Sequence, residues 1–563
     1  MSTRLQILLL SITFSLAFIL RFYKLGEIPN GLYQDETAIG YNAYSIIQTG
    51  KDEHGESWPL YFKSFGDYKL PIYIYSTIVS IQMFGLNEFA VRFPSALFGF
   101  LTVVVFYFFV KELTKNRQLS IISTAFLAIC PWHLHYNRAT FEVSISLFLF
   151  VLGGLFLYKS FYNKTPFAFL AGTVCFIISF YSYNLTRLLA PALYLLFLIF
   201  NKSQAKQVTK KEQLFTVFIS SILFIPFIST LFQSGGIASA SGTLIFSSKA
   251  VQAPLLEFRS YFVDVQPLIA KLFFSTLPLT VWQYLQNVVS SFAPSFFFVF
   301  GSPHGNHGIG NVGQFYLFQF PLMVMGMITI VLGKPRWSKF FIMWALVSIF
   351  VVSFTREVPH ATRSFFLIVP FEIFSGLGVL SFFAWFEKIK KLRYKIGVVV
   401  LCAALVIYSI VFYFASYYVR FPILYAREWR AQDKAVALYI RENQEKYNKI
   451  IFDNEGGYIY SSLLFYLKYQ PEEFQKSVAW YNDDSEGFSM PKSFGKFEFR
   501  TIDWSKDYVK EKTLIITTQD RKPKEIRELK TFFYLERPVV LSIKQDIVQY
   551  PVEEIAYVVV ESK

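Results

Sequence analysis

The chain has 563 residues, of which 54% are hydrophobic and 20% aromatic, while only 17% are charged. Soluble domains carry about 25% charged residues, and the mean hydropathy here is +0.39, which excludes an ordinary soluble protein. The net charge is +15, but the excess of lysine and arginine lies in short connections between apolar segments. That pattern is typical of membrane topology rather than of nucleic-acid binding, so no nucleic-acid partner is expected.

Apolar segments of membrane-spanning length recur from the N-terminus to about residue 416. We predict eleven transmembrane helices and therefore an α-helical polytopic fold. Their predicted bounds are 5–22, 91–112, 118–136, 143–161, 166–182, 184–200, 213–232, 314–333, 339–354, 364–385 and 396–416. The first segment follows Arg4 and lacks a small-residue cleavage site after it, so it is expected to be a retained span.

Loop charge predicts how these spans are oriented in the cell membrane. With a cytoplasmic N-terminus, the basic connections all fall on the cytoplasmic side, as the positive-inside rule requires. These connections are 111–118, 162–165, 201–212, 333–339 and 386–395. Counting the apolar segment Pro71–Leu86 as a span would move two of them outside. We therefore predict that it is a helix lying in the interface.

Three regions are then expected to be extracytoplasmic. Two are long loops, 23–90 and 233–313, which belong to a membrane domain covering residues 1–419. The third is the tail 420–563, whose mixed polar composition indicates a small α/β domain. Its predicted elements are helices at Ala431–Lys446 and Tyr458–Tyr469 and strands at Lys449–Phe452 and Thr513–Thr518.

Ionisable residues gather at the predicted external ends of the spans. Charged groups at a membrane are costly, and converging titratable groups are typical of catalytic sites, so these residues are site candidates. They are Asp35, Glu36, Asp67 and Lys69 in the first loop, His133, His135, Arg138 and Glu142 after the third span, Arg187 after the fifth, and His360 and Arg363 after the ninth.

Most of these candidates also have a purely structural interpretation. Asp35 fits the N-cap of a helix from Glu36 to Thr49 that ends at Gly50, with Glu36 as a first-turn acid. Lys69 fits a side chain that reaches toward lipid headgroups. Arg138 and Glu142, four residues apart, fit an ion pair on one helix.

Metal binding is a further alternative at the histidines. His133 and His135 with Glu142 contain suitable ligand atoms, although two histidines two apart lack helical i, i+4 spacing. No cofactor is required by the sequence, and a divalent metal is left open. His360 alone also fits the polar membrane interface. The three cysteines, Cys130, Cys175 and Cys402, lie in or beside apolar segments and are expected to be packing residues.

Group transfer from a lipid-linked donor would use these candidates together. A polyprenyl phosphate keeps its tail in the bilayer and its phosphate at the surface. The departing phosphate needs cations, and the acceptor hydroxyl needs a carboxylate base. Asp35 with Lys69, Arg138 and Arg363 would supply both functions.

Several short motifs resemble those of the GT-C superfamily of membrane glycosyltransferases. They are Pro29-x-Gly31-Leu32-x-x-Asp35-Glu36, Asp67-Tyr68-Lys69-Leu70-Pro71, Phe84-Gly85 followed by Val91-Arg92-x-Pro94-Ser95-Ala96, Pro131 with Arg138 and Glu142, and Pro359-His360-Ala361-x-Arg363. The nearest branch is family 39, the protein O-mannosyltransferases and the aminoarabinose transferase of lipid A. The resemblance covers about residues 1–380.

This resemblance implies an inverting transferase that uses a polyprenyl-phosphate sugar on the extracytoplasmic side. Asp35 matches the family's base, with Glu36 as its structural neighbour, and Lys69 matches a lysine of the first loop. Arg138, Arg363 and His360 are expected at the donor phosphate. Glu142 lies near a second external carboxylate that is often Asp in relatives, which leaves its role open. The sugar stays open, as does the acceptor, which is a protein, a lipid or a glycan.

Two other classes of membrane protein have a similar composition. A transporter or flippase of lipid-linked glycans typically holds its substrate near the midplane, often between inverted repeats, and the sequence contains no repeat. A receptor or scaffold with a binding tail would not need charged residues converging from four loops. A glycosyltransferase is therefore the preferred interpretation, and the transporter is the alternative.

Overall fold

The structure, a computed structural model, describes residues 2–65, 68–231, 244–246, 256–257, 260–262, 267–333, 335, 337–453, 457–483, 488–509, 512–534, 542–543, 546–547 and 555–562. The chain forms two compact units that alternate along the sequence. The membrane unit consists of Met1–Tyr23 and Ser95–Ser416. The loop–tail unit consists of Lys24–Pro94 and Tyr417–Lys563, so the first long loop belongs with the C-terminal tail.

Helices make up most of the described chain. In chain order they are α1 Thr3–Phe22, α2 Gln34–Thr49, α3 Pro71–Phe84, α4 Glu88–Thr114, α5 Arg117–Ile129, α6 Pro131–Tyr136, α7 Val143–Asn163, α8 Ala168–Ser179, α9 Thr186–Phe200, α10 Lys202–Ala205, α11 Lys210–Leu231, α12 Pro267–Phe273, α13 Thr276–Ser290, α14 Pro294–Phe298, α15 Gln319–Gly333, α16 Ser338–Ser353, α17 Ile368–Glu387, α18 Leu392–Ala415, α19 Phe421–Leu424, α20 Ala431–Asn443, α21 Ile459–Tyr466, α22 Pro471–Ser477 and α23 Trp504–Asp507.

Within the described residues, six helices are long and apolar enough to cross a membrane. They are Thr3–Phe22, Glu88–Thr114, Val143–Asn163, Lys210–Ile228, Phe365–Glu387 and Leu392–Leu424. Six shorter apolar helices accompany them, at Pro71–Phe84, Arg117–Ile129, Ala168–Ser179, Thr186–Phe200, Gln319–Gly333 and Ser338–Ser353. An apolar helix therefore lies in every predicted span, and the protein is a multi-pass membrane protein.

The predicted span 118–136 needs a correction. It is not one helix, because α5 ends at Ile129 and α6 begins at Pro131. Proline lacks the amide hydrogen that would continue the hydrogen bonds of the helix, and it restricts the residue before it to extended backbone. Cys130 has ψ of 121° accordingly.

The loop–tail unit contains a seven-stranded mixed sheet. The strands are β3 Lys449–Phe452, β4 Ala479–Trp480, β5 Pro491–Phe494, β6 Phe497–Phe499, β7 Thr513–Thr517, β8 Lys530–Phe533 and β11 Ile555–Glu561. Among the described residues, their order across the sheet is β4-β5-β6-β3-β7-β11-β8. Short pairs β1 Phe62–Lys63 with β2 Tyr68–Lys69, and β9 Ser542–Ile543 with β10 Asp546–Ile547, complete the set.

The central strand β3 is parallel to both β6 and β7. All five residues of β7 are buried, as expected for a strand covered on both faces. Ile451, Ile502, Ile515 and Val560 form a core cluster there. The predicted α/β tail is thus confirmed, including the positions of α20, β3, α21 and β7.

The first loop packs directly on the tail within the loop–tail unit. The α2 residue Thr37 shares a hydroxyl hydrogen bond of 2.8 Å with Ser461 of α21. Farther along α2, Gln475 of α22 donates its amide to the hydroxyls of Ser45 and Thr49, at 3.1 and 3.3 Å. The helix that carries Asp35 is therefore fixed by the C-terminal part of the chain.

Candidate active site

Asp35 lies in the first turn of α2, which begins at Gln34. The N-cap is Tyr33 and has no side-chain capping bond, so the N-cap interpretation of Asp35 is wrong. Instead, Lys69 Nζ donates to Asp35 Oδ2 at 2.9 Å. The Asp35 side chain is 26% exposed and the Lys69 side chain 14%, so the carboxylate is accessible while its partner is largely enclosed.

The positions of both groups follow from local sequence. The predicted end of α2 at Gly50 is confirmed, with φ of 70° at that glycine. Lys69 ends β2, and Pro71 occupies the first position of α3, where its missing amide hydrogen is harmless. The hairpin and the two helices hold Asp35 and Lys69 against each other.

Glu36 has a different environment from its neighbour. Its side chain is fully buried and forms a bidentate ion pair with Arg92, with Nε–Oε1 and Nη2–Oε2 distances of 2.9 Å. Arg92 also donates to the carbonyls of Leu25, Pro29 and Gly31. Its guanidinium lies 5.8 Å from the centre of the Trp429 ring. This geometry makes Glu36 a structural residue that fixes the segment next to Asp35.

Arg92 is a residue to which sequence reasoning gave no role. The signal was present, because it is a single arginine near the start of an apolar helix. A charge in such a place requires a partner, and Glu36 is that partner.

The membrane unit holds the residues predicted after the third span. Arg138 is buried in the turn between α6 and α7 and donates to the carbonyls of Leu20 and Arg21. The interpretation of Arg138 and Glu142 as a pair on one helix is wrong, since α6 ends at Tyr136 and α7 begins at Val143.

His133 and His135 face separate partners. His133 Nδ1 lies 2.6 Å from Nη2 of the buried Arg21, and His135 Nε2 lies 2.9 Å from the carbonyl oxygen of Asn306. Across the part of the chain that the structure describes, no three His, Cys, Asp or Glu side chains are grouped as metal ligands. The arrangement with Glu142 therefore does not form a preassembled metal site there.

His360 and Arg363 lie in the connection after α16. His360 Nδ1 accepts the backbone N–H of Thr362 at 3.2 Å. Burial lowers its pKa well below the ordinary range, and the nearby Arg363 reinforces the shift. Arg363 approaches Glu357 Oε2 at 3.7 Å and donates to the carbonyl of Arg356. Two arginines, Arg356 and Arg363, lie close enough to His360 to act on its charge, and guanidinium groups suit recognition of an anion.

A cavity of about 390 Å³ opens beside His360 in the membrane unit. His304, Ser302 and Glu357 also line it, together with aromatic and proline side chains. The ring of His307 lies 4.8 Å from that of His360 and 6.4 Å from that of His304. His304 and His307 received no role from the sequence, although two histidines between glycines in 301–308 were the available signal.

Two further candidates have different positions. Arg187 lies in the first turn of α9, where it donates to the Phe180 carbonyl at 3.4 Å and lies 5.3 Å from the centre of the Phe227 ring. Asp67 is outside the described residues. The structure thus groups Asp35 with Lys69 in the loop–tail unit, and His360 with Arg363 in the membrane unit.

A family model described as dolichyl-phosphate-mannose-protein mannosyltransferase matches residues 69–229. No curated protein sequence matches the chain. Among solved structures, ArnT from Cupriavidus metallidurans in the apo state aligns with a TM-score of 0.52 at 11% identity, covering 98% of this chain and 97% of ArnT. The same protein bound to undecaprenyl phosphate gives a TM-score of 0.50 at 11% identity, covering 100% and 98%.

The archaeal oligosaccharyltransferase AglB from Archaeoglobus fulgidus, in complex with an inhibitory peptide and a dolichol-phosphate, aligns at 13% identity with a TM-score of 0.49. The alignment covers 81% of this chain and spans 63% of the length of AglB. The full-length alignments with ArnT define the fold of the chain.

Proposed function

We propose that this chain, which has the fold of the GT-C membrane glycosyltransferases, transfers a sugar from a polyprenyl-phosphate donor to an acceptor hydroxyl. The observation that carries the proposal is the accessible Asp35 carboxylate, held at 2.9 Å by Lys69 next to a buried Glu36–Arg92 pair. The family match over residues 69–229 supports a transferase and begins at Lys69. The neighbour ArnT was solved with undecaprenyl phosphate, which supports a lipid-linked donor.

The proposed step is a single displacement with Asp35 as general base. The acceptor oxygen bonds to the anomeric carbon while the bond from that carbon to the phosphate oxygen breaks. The hydroxyl proton passes to the Asp35 carboxylate, and the polyprenyl phosphate leaves with the bonding electrons. Attack from the face opposite the phosphate inverts the anomeric configuration. General-base catalysis of this kind contributes about 10²–10⁴-fold.

Lys69 is the cation that we assign to the leaving phosphate. Its ammonium pairs with the Asp35 carboxylate at 2.9 Å, and as a point charge a lysine also attracts a phosphate. Stabilising charge that develops on a leaving group is usually the largest catalytic contribution. Arg138, His360 and Arg363, which lie in the membrane unit, remain predicted to bind the phosphate of the sugar donor. The protein, lipid or glycan that accepts the sugar is left open.

Turnover of labelled polyprenyl-phosphate hexoses and pentoses by the full chain, with membrane fractions as acceptor source, tests this function. Asp35→Asn should lower turnover by about 100-fold or more while donor binding is retained. Lys69→Met should lower it by about 10²–10³-fold, as for loss of one oxyanion donor.

Asp483 and Lys63 provide a matched control pair. They form an ion pair of 3.3 Å in the same unit, and the Asp483 side chain is 57% exposed. Asp483→Asn, which breaks this pair without changing a residue of the β1–β2 hairpin, should leave turnover near the wild-type value. Full activity of Asp35→Asn would show that Asp35 is not the base.

We also propose that the loop–tail unit faces the extracytoplasmic side. The basic connections between the predicted spans belong on the cytoplasmic side by the positive-inside rule, and the loop 23–90 and the tail are predicted on the other side. An impermeant thiol reagent should label an exposed Asp520→Cys variant from outside intact cells. If the reagent labels the variant only after the cells are disrupted, the loop–tail unit faces the cytoplasm and the proposed orientation is wrong.

A further inference from the structure

A second cavity of the membrane unit lies among α8, α9 and α11 and has a volume of about 670 Å³. Its walls are mainly apolar and include Phe169, Phe224, Ile225 and Ile228. A smaller polar set lines the same space, including Thr173, Tyr194, Gln213, Thr216 and Ser220. Ligand cavities of about 300–1,000 Å³ with apolar walls and a few polar groups are typical binding sites.

Two hydroxyls in the cavity wall have no hydrogen-bond partner among the described atoms, those of Thr216 and Ser220. The Thr216 side chain is 3% exposed. Serine and threonine in apolar helices usually bond to the carbonyl one turn back, as Ser221 does with Val217 at 2.9 Å. The unpaired hydroxyls therefore indicate a polar occupant, because an unsatisfied polar group in an apolar setting costs free energy.

The helices that form this cavity have a basic end. α8 begins, α9 ends and α11 begins at the same end of the helix bundle, since consecutive helices run in opposite directions. Exposed lysines surround that end, and the only nearby acid on α10 or the first turn of α11 is Glu212. The lysines are Lys202, Lys206, Lys210 and Lys211.

We propose that this cavity binds one anionic phospholipid taken from the surrounding bilayer. The phosphate meets Lys210 and Lys211, and an acyl chain lies along Phe224, Ile225 and Ile228. Charge complementarity selects this occupant, since juxtamembrane lysines bind anionic headgroups with about 1 kcal/mol each. The cavity residues belong to the membrane unit, whereas Asp35 and Lys69 belong to the loop–tail unit, and the lipid site does not depend on the proposed reaction.

The depth of the polar residues matches the structure of a phospholipid. A helix rises about 1.5 Å per residue, which places Gln213 about 5 Å and Thr216 about 9 Å deeper than Lys210 along α11. The ester carbonyls of a phospholipid follow its phosphate at a comparable depth and are acceptors for amide and hydroxyl donors. The apolar wall begins below them, at Phe224, where the acyl chain continues.

Native mass spectrometry of the full chain released from vesicles tests the site. The vesicles contain phosphatidylcholine with or without phosphatidylglycerol. The wild type should retain one phosphatidylglycerol in preference to phosphatidylcholine. Lys210→Gln with Lys211→Gln should weaken that retention by about 10–30-fold, from two lysine contacts, and Ser220→Phe should abolish it by filling the cavity.

Lys388→Gln with Lys390→Gln is the matched control, because it removes the same charge from another exposed connection. This control should retain the lipid like the wild type. Equal retention of phosphatidylcholine, equal weakening in the control, or displacement of the lipid by added undecaprenyl phosphate would each overturn the proposal. The exposed lysine variants decide the matter even if Ser220→Phe fails to fold.

Discussion

Two adjacent carboxylates, Asp35 and Glu36, differ in what surrounds them. Asp35 keeps contact with solvent and has Lys69 as an ion-pair partner, whereas Glu36 is fully buried against Arg92. Successive residues on a helix point about 100° apart, so one can face an open site while the next faces the interior. The segment that carries the proposed base is therefore anchored by the buried Glu36–Arg92 pair.

The Glu36–Arg92 pair can be tested by a double-mutant cycle. Arg92→Met should destabilise the protein by about 3–5 kcal/mol, because it leaves the Glu36 carboxylate buried without a compensating charge. Adding Glu36→Gln to Arg92→Met should recover part of this loss, because no buried charge is then left unpaired. Thermal unfolding of the purified variants measures both changes. A double variant that is no more stable than Arg92→Met would contradict the assignment.

At the scale of elements, α2 is fixed by close contacts with the tail. A Cβ atom at Gly31, just before α2, would clash with the backbone of Trp429 and Ala431. Backbone atoms cannot rotate away as side chains do, so this close approach of the segment 29–33 to the tail leaves no room for a side chain at position 31. The orientation of Asp35 thus depends on a residue that itself carries no chemistry.

Gly31→Ala should therefore lower both stability and transfer activity. Overpacking of this kind costs about 1–3 kcal/mol. Gly397→Ala in α18 is the control, because nothing lies within 4 Å of a Cβ atom added there, and it should be close to neutral. Unfolding temperature and turnover of both variants check the prediction, and equal behaviour of the two would refute it.

At the scale of the whole molecule, an acid is buried where the first loop meets the tail. Glu53 is 1% exposed and accepts from the Asn42 amide at 3.0 Å, with Tyr460 beside it. Burial raises the pKa of Glu53 to about 8. Its neighbours shift as well, since burial raises the pKa of Asp52 to about 6 and lowers that of His54 to about 4.

The loop–tail unit should therefore lose stability as pH rises from about 6.5 to 8. A carboxyl with a raised pKa stabilises the folded state most below its unfolded value, and that contribution is lost as pH approaches 8. The contribution of Asp52 is already lost by about pH 6, and His54 destabilises only below its unfolded pKa of 6.5. Of Asp52, Glu53 and His54, therefore, only Glu53 changes the stability between pH 6.5 and 8.

Unfolding temperatures measured across this pH range should fall for the wild type and change much less for Glu53→Gln, which mimics the neutral carboxyl. Glu472→Gln is a control, because Glu472 is exposed and pairs with the equally exposed Lys476 on the surface. Its pH dependence should follow that of the wild type. If the unfolding temperature of Glu53→Gln falls with pH as steeply as that of the wild type, Glu53 is not the cause of the pH dependence.

Sequence patterns predicted many of the helices and strands, but they did not predict which side chains contact each other. Apolar runs of membrane-spanning length located the membrane helices. The change to a mixed polar composition located the α/β tail, in which strand patterns predicted β3 and β7. The ion pairs Asp35–Lys69 and Glu36–Arg92 join residues 34 and 56 positions apart, and no local pattern encodes such a pairing. The histidines at 304 and 307 were likewise visible, yet their proximity to His360 arises only from the fold.

The division of the loop–tail unit along the chain constrains how the protein is made. Residues 24–94 are synthesised early, whereas Trp429, Ser461 and Gln475, against which they pack, follow only after the whole of 95–416. A nascent or prematurely terminated chain lacks the surface that fixes α2. The contacts that fix α2, and with it Asp35, can therefore form only after residues 429–475 have been synthesised.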